Sequence, residues 1–569
     1  MVKKFDIMLI GGTLTMMVVS ILLMSDSVIA GIFIGSDAAA GINLVTPIYS
    51  VSAFFGSVFS LGVPIRYSLK MGMFQKKEAD RIFGTGLLMS VSVGIILFIV
   101  ASLFGESFIR SCHPSQQALE QALGYLHWMR FTVLFLPLDM LMAEMVYNDG
   151  DDGISVAANC VQGIGNLAAS LILSRFMGIR GIALASCLFT FLSLAVLFTH
   201  FLKKNNSLKL NFYFSFDILF SVVRYSAIDA STYLWLGAGS AILNRFVCTH
   251  FGAEYLILVS VITLCREFQL VFDGIGEAIT PIISIYLGED CFPGVRTIYS
   301  RARKTAVLEG IAVMILLQLV APLVPTLLGI TDVKLMSLAV TGMRIVSAGS
   351  VFVSLLYLST SYYLLLDRIA LGLGVSALRD VIVAVPVSVA LGYVAGINGV
   401  FAGFAAASLI AWLVSSIFLR IRYGSDAPLL LKPRERGKDA LLYSLDVETE
   451  AIIATRDKLG DALEERGYDG RTVNRIMLLF EELFVLIYEK NPGVKVQAEC
   501  AVLMDNNKIR MITRDTGDSV DFADPDMEID SLRSYVISSI TNSISSQKQH
   551  LVTMSFNRNM IEIEGKKAE

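Results

Sequence analysis

Charge is what this chain lacks: 17% of its 569 residues are Asp, Glu, Lys or Arg, against 54% hydrophobic ones. A soluble domain carries about 25% charged residues, and a single core stops growing at about 250–300 residues. No aqueous core absorbs this apolar excess, and a lipid bilayer does. Cysteine is sparse too. The seven present show no C-x-x-C spacing, and Cys160, Cys187 and Cys265 fall inside apolar runs, which excludes a disulfide framework and a metal site. A net charge of −4 is too small to imply a nucleic-acid partner. Ten-residue alternating strands are absent from the apolar part, which leaves helices, since lipid-exposed backbone must satisfy its own hydrogen bonds.

A helical span takes about 20 mostly apolar residues. Such runs lie near 7–34, 41–64, 83–104, 123–147, 154–175 and 180–201, and again near 218–248, 254–287, 303–329, 335–365, 370–395 and 398–420. Lys3 and Lys4 before the first run imitate a secretory leader, but the run is too long for one and reads as a retained span. Alternate loops hold the basic residues: Arg66, Lys70, Lys76, Lys77 and Arg81; Lys203, Lys204 and Lys209; Arg296, Arg301, Arg303 and Lys304; then Arg420, Arg422, Lys432, Arg434 and Arg436. The positive-inside rule then predicts a multi-pass cell-membrane protein with both termini cytoplasmic.

The chain repeats itself. Gly178-Ile179-Arg180-Gly181 recurs as Gly396-Ile397-Asn398-Gly399 at an offset of 218, Ser68 and Gly72 as Ser284 and Gly288 at 216, and Gly35 as Gly252 at 217. Six spans per copy keep both copies in the same orientation. The expected fold is therefore an α-helical polytopic membrane protein, twelve transmembrane helices in two parallel six-helix repeats, with a small cytoplasmic α/β sandwich domain. Such halves form a cavity between them and rock to give alternating access. The predicted organisation is a first lobe over 1–205, a cytoplasmic linker over 206–217, a second lobe over 218–422, a basic linker over 423–438 and the cytoplasmic domain over 439–569.

The runs from Asp26 to Gly35, Asn43 to Pro47 and Gly62 to Ser68 with Gly72 resemble the first two helices of the multidrug and toxin extrusion (MATE) family. Asn166 and Gly178 to Ala185 are similar to that family's fifth and sixth helices. The resemblance implies a secondary antiporter, not an enzyme, expelling organic cations and other amphipathic compounds against H⁺ or Na⁺, with no other cofactor. It also implies that Asp26, with Asn166 beside it, belongs to a coupling site in the first lobe. Where the family has a second acid four residues after that Asn, this chain has Ser170, and Asn244 stands near the repeat counterpart of Asp26.

Asp26 lies among Leu, Met, Val and Ile, where a carboxylate costs about 2.5–3.5 kcal/mol on insertion scales and so faces protein or a water-filled cavity. The other charges within the predicted spans are Asp139, Glu144, Asp229, Arg266, Glu267, Asp273 and Glu277. Asp273 and Glu277 are four apart and share a helix face. The expected ion and substrate cavity comprises Asp26, Asn43, Asn166, Ser170, Asn244, Asp229, Glu267, Asp273 and Glu277. Asp367-Arg368 and Arg379-Asp380 read as solvated ends bracketing a cytoplasmic loop. The 34 Phe, 19 Tyr and 22 Met do not identify a cargo.

Residues 439–569 read as one small α/β domain. Strands are expected at 441–445, 494–504 and 507–514, helices at 449–466, around Val473 to Ile487 and at 531–545, and two short strands within 550–564. Glu481-Glu482-Leu483 on a helix and Arg514-Asp515-Thr516-Gly517 after a strand resemble the histidine-kinase-like ATPase fold, especially anti-sigma-factor kinases. The resemblance implies Glu482, Asp515 and Gly517 as nucleotide-site residues. Leu486 replaces the Mg²⁺-holding Asn, and Ser531-Leu532-Arg533-Ser534 stands where the Gly-rich phosphate loop belongs. A degenerate regulatory or docking module for a cytoplasmic partner is expected, without ATP hydrolysis or kinase activity. Two other readings stay open: a lipid-linked or polysaccharide flippase of the same superfamily, which wants basic cavity lining, and a receptor that signals through the tail.

Overall fold

Long apolar stretches punctuated by glycine dictate the secondary structure of the computed structural model, which describes residues 2–72, 75–149, 151–203, 208–211, 213–289, 291–424, 439–505, 508–518, 537, 539–551 and 554–566. Twelve helical passes follow in order among these residues. The first four are single helices, Val2–Phe33, Ser36–Gly72, Lys76–Arg110 and Gln116–Asn148. The fifth is Asp152–Cys160, a π turn Val161–Gly165 and Asn166–Met177; the sixth is Ile179–Phe198. Phe216–His250 is the seventh, and the eighth runs from Ala253–Leu256 to Asp273–Gly288. The ninth opens with Phe292–Val320, and the tenth is Val333–Ser347 bent by 47° into Ser350–Leu365. The eleventh is Ile369–Ala377 with a π turn Leu378–Ile382, and Ala384–Tyr423 holds its remainder and the twelfth, parted at Gly396.

The duplication is written in the backbone. Gly178 and Gly396 have φ of +59° and +65°, and Gly35 and Gly252 have φ of +125° and +114°. The two π turns, Val161–Gly165 and Leu378–Ile382, lie 217 residues apart, as do the in-helix prolines Pro64 and Pro281. Three residues after each break, a side chain at Gly181 would run into the Leu173 carbonyl and one at Gly399 into the Leu391 carbonyl. Glycine is required at both, because the paired helices approach backbone to backbone. The linker expected to reach 217 ends earlier, with the seventh span starting at Phe216; residues 204–207 and 212 of that stretch, and 425–438 of the second linker, lie outside the described residues.

The chain divides into two compact units. One is Gly11–Gly276 with Arg303–Phe418; the other is Met1–Ile10, Glu277–Ala302 and Leu419–Glu569. In the first, the core draws Ile29, Leu44 and Val45 together with Val247, Val261 and Phe401, so residues from both repeats share it. In the second, five strands form an antiparallel sheet in the order β1-β2-β3-β5-β4: β1 Asp439–Asp446, β2 Gln497–Asp505, β3 Lys508–Asp515, β4 Ser543–Leu551 and β5 Met554–Glu564. Helices Thr449–Glu464 and Gly470–Lys490 cover one face, where Ile476, Phe480 and Phe484 meet Val502, Met511 and Ile561. The Asp469 carboxylate caps the second helix by accepting from the Thr472 amide at 2.8 Å. The helix expected at 531–545 is corrected at its end. From Ser543 the chain is strand, because pairing with β5 satisfies its backbone in full register. Residues 519–536 and 538 lie outside the described set.

Candidate functional site

Asp26 sits two turns before the end of the first helix and is partly buried. Two hydroxyls reach it from helices far away in sequence. Tyr125 on the fourth span donates to Oδ2 at 2.8 Å, and Ser186 on the sixth at 2.9 Å. Asn166, at the exit of the π turn in the fifth span, lies beside them: its Oδ1 accepts from Ser170 at 3.1 Å and is 3.4 Å from the Ser186 hydroxyl. The other carboxylate oxygen, Oδ1 of Asp26, is buried without a hydrogen-bond partner among the described residues. Ser170 therefore orients Asn166 rather than replacing the missing acid. A second carboxylate comes from the other repeat: Glu267, on the eighth span, lies within electrostatic reach of Asp26, and Tyr49 is within reach of both.

Asn43 and Asn244 have a different setting. The Asn43 amide donates to Asn244 Oδ1 at 3.0 Å, Asn244 donates back to the Asn43 carbonyl at 3.2 Å, and Thr263 donates to Asn43 Oδ1 at 3.1 Å. Asn43 and Asn244 are buried, and the link joins the second span to the seventh and eighth. The same two long helices stay in contact further along, where a side chain at Gly237 would meet Ser50 and one at Gly62 would meet the Val222 carbonyl.

The second repeat holds a cluster that sequence reasoning placed wrongly. Arg379 and Asp380 are not solvated loop ends; they are 7% and 5% exposed, on the π turn of the eleventh span. Asp380 accepts from Arg266 at 2.8 Å and from Arg379 at 3.0 and 2.7 Å. The Arg379 guanidinium lies 3.9 Å over the Tyr357 ring, and Asp273 is within electrostatic reach. A π turn rotates its residues off the regular helix face, which is how adjacent charges in an apolar stretch turn inward. Arg266, Arg379 and Asp380 line a cavity of about 40 Å³ with Gln269, Tyr357 and Ser408. Glu277 is exposed, and the side chain of Asp229 lies outside the described set.

This geometry is met by known folds. Residues 13–162 match the MatE family model. A multidrug resistance MATE transporter of the MOP superfamily in an inward-facing conformation is 18% identical over 71% of this chain and 94% of its own, with a TM-score of 0.66. The membrane bundle has the MATE fold. A MOP superfamily transporter from Pyrococcus furiosus, described as having a binding pocket of reversed polarity, gives 18% identity, coverage of 75% and 96%, and a TM-score of 0.61. An outward-facing MATE transporter gives 18%, 74% and 95%, and 0.57. No curated protein matches. The protein is thus a multi-pass membrane protein whose MATE-fold bundle carries Asp26 in one repeat and Arg266, Arg379 and Asp380 in the other.

Within the tail, Asp515 and Gly517, expected at a nucleotide site, are hydrogen-bonded to Asn557 of the same domain. Oδ1 of Asp515 accepts from the Gly517 amide at 3.0 Å and from Asn557 at 2.8 Å, and the Asn557 amide also donates to the Gly517 carbonyl at 2.9 Å. Glu482 is half-buried, and Leu486 is packed into the core. Tyr125, Ser186, Tyr49, Arg379 and Asp380 were not legible as site residues. Only the apolar runs flanking Arg379-Asp380 hinted that the pair lies mid-span.

Proposed function

We propose that this protein is a secondary transporter that expels amphipathic compounds in exchange for protons, with Asp26 as the coupling group. The single observation that carries the proposal is the Asp26 carboxylate with two hydroxyl donors on one oxygen and, among the described residues, none on the other, which is buried. The neutral acid fits this setting, with its proton on Oδ1; the ionised form leaves a bare buried oxygen that demands a cation. Exchange of that proton for a cationic cargo follows from the same charge balance. Hydroxyls that are already donating to the carboxylate have no lone pair aimed at a sodium ion beside it, so H⁺ is the proposed coupling ion. The termini are proposed to be cytoplasmic, in keeping with the basic loops and with Asp6 pairing with Arg301 at 3.2 and 3.0 Å.

A second reading, transport of an anionic amphiphile or lipid-linked compound, is favoured by Arg266 and Arg379 lining the cavity in the second repeat. Flux from proteoliposomes under imposed H⁺ or Na⁺ gradients, with cationic and anionic dyes, separates these readings. Cation efflux that follows the pH gradient and vanishes in Asp26→Asn is the expected result. Flux indifferent to both gradients and to Asp26→Asn overturns the coupling mechanism, and flux of anionic dyes alone selects the second reading.

A further inference from the structure

Among the described residues, the sheet of the tail has two buried faces and helices on only one. On β2 and β3, Cys500, Val502, Ile509 and Met511 pack under the helices. Alternation puts Glu499, Ala501, Ile512 and Arg514 on the opposite face, yet these are buried as well. What meets that face in the same compact unit is the turn between the eighth and ninth spans. Glu289 of the turn pairs with Arg514, and with Nε of Arg558 at 2.7 Å. The Tyr286 hydroxyl donates to Glu499 at 2.7 Å, Arg514 reaches the other oxygen of Glu499 at 2.7 Å, and its guanidinium lies 5.0 Å over the Tyr286 ring.

Charge balance gives this contact its meaning. In this contact the tail contributes the guanidiniums of Arg514 and Arg558 and the carboxylate of Glu499, and the turn contributes the carboxylate of Glu289. Burial pulls the Arg514 guanidinium down to about 10, still charged at physiological pH. Docked, the four charges cancel; apart, each side carries an uncompensated charge that water accepts readily. Beside the buried Ala501 and Ile512 this contact rests on charge, and buried ion pairs add little net stability while strongly penalising the loss of one partner. This is the chemistry of a contact that can open.

We propose that the tail is a detachable clamp, its sheet face opposite the described helices docked on the turn between the eighth and ninth spans through Glu289, and that docking restrains transport. The same unit ties Asp6, at the start of the first repeat, to Arg301 beyond that turn. The tail follows the twelfth span in the chain, so docking on the turn between the eighth and ninth fixes those spans to one another where alternating access requires them to shift. The regulatory half of the proposal rests on the transport reading above; the docking half does not.

Cys291 reports docking. It lies two residues past Glu289 and is fully buried, and burial, with Glu499 nearby, raises its thiol to about 11. At pH 8 its thiolate fraction is then about one part in a thousand. Alkylation of the full-length protein in nanodiscs, read peptide by peptide by mass spectrometry, should show Cys291 modified at least ten-fold faster in Glu289→Ala. Cys500, under the tail helices, should stay protected, reporting that the tail is folded. The exchange Glu289→Arg with Arg514→Glu should restore protection. In proteoliposomes Glu289→Ala should raise cargo flux several-fold. Cys291 remaining protected in Glu289→Ala overturns the docking role, as does exposure that the charge exchange fails to reverse. Unmasked Cys291 with unchanged flux overturns the regulatory role alone, and absence of flux in every variant indicts the transport reading instead.

Discussion

A carboxylate in an apolar run is conspicuous, and Asp26 was legible for that reason. Its partners were not, since Tyr125 and Ser186 stand 99 and 160 positions away and are ordinary residues in ordinary helices. Tyr125→Phe removes one of two donors to a buried acid, and a hydrogen bond to a charged group contributes about 1.5–3 kcal/mol. Proton-driven flux should fall roughly ten-fold or more in Tyr125→Phe while protein yield is unchanged; undiminished flux would mean that the ionised form never occurs. Asn43 was expected at the cavity from the family-like run that it opens and Asn244 from its place near the repeat counterpart of Asp26, and in the structure they hydrogen-bond to each other. Asn244→Ala leaves the Asn43 side chain short of a buried partner, a loss of about 1–3 kcal/mol. A lower unfolding midpoint in detergent is expected, and an unchanged midpoint would show that water reaches the link.

At the scale of elements, repetition did most of the work. Matching glycines 217 or 218 residues apart located equivalent breaks, and backbone angles at Gly178 and Gly396 give the reason. Neither position has atoms within 4 Å of an added Cβ, so substitution there costs conformational strain alone, about 1–3 kcal/mol. Gly374 also has open space but lies within a regular helix. Gly396→Ala should lower thermal stability while Gly374→Ala leaves it unchanged or slightly raised; equal effects would refute the strain argument. The π turns escaped sequence reasoning, and with them the burial of Arg379 and Asp380. Hydropathy averages over a window and does not register one residue added to a helical turn.

For the whole molecule, the order of spans and tail followed from composition, but the division into compact units did not. Glu277–Ala302 belong to the same compact unit as the tail although the sequence places them more than a hundred residues apart. The tail's expected site residues were placed by the fold as well. Asp515 and Gly517 staple a turn through Asn557, and Leu486 fills the core where a metal-binding amide would be needed. Calorimetric titration of the full-length protein with ATP should show no dependence on Mg²⁺; tight Mg²⁺-dependent binding would contradict this assignment.

What the sequence determined by itself is whatever depends on local content. Apolar length sets the number of spans, glycine sets the breaks, and a two-fold repeat sets the symmetry. The tertiary structure alone decided which polar groups meet, because a buried charge is stabilised by donors that arrive from other helices. The same holds for the face of the tail sheet, whose neighbour is chosen by the balance of Glu289 against Arg514 and Arg558.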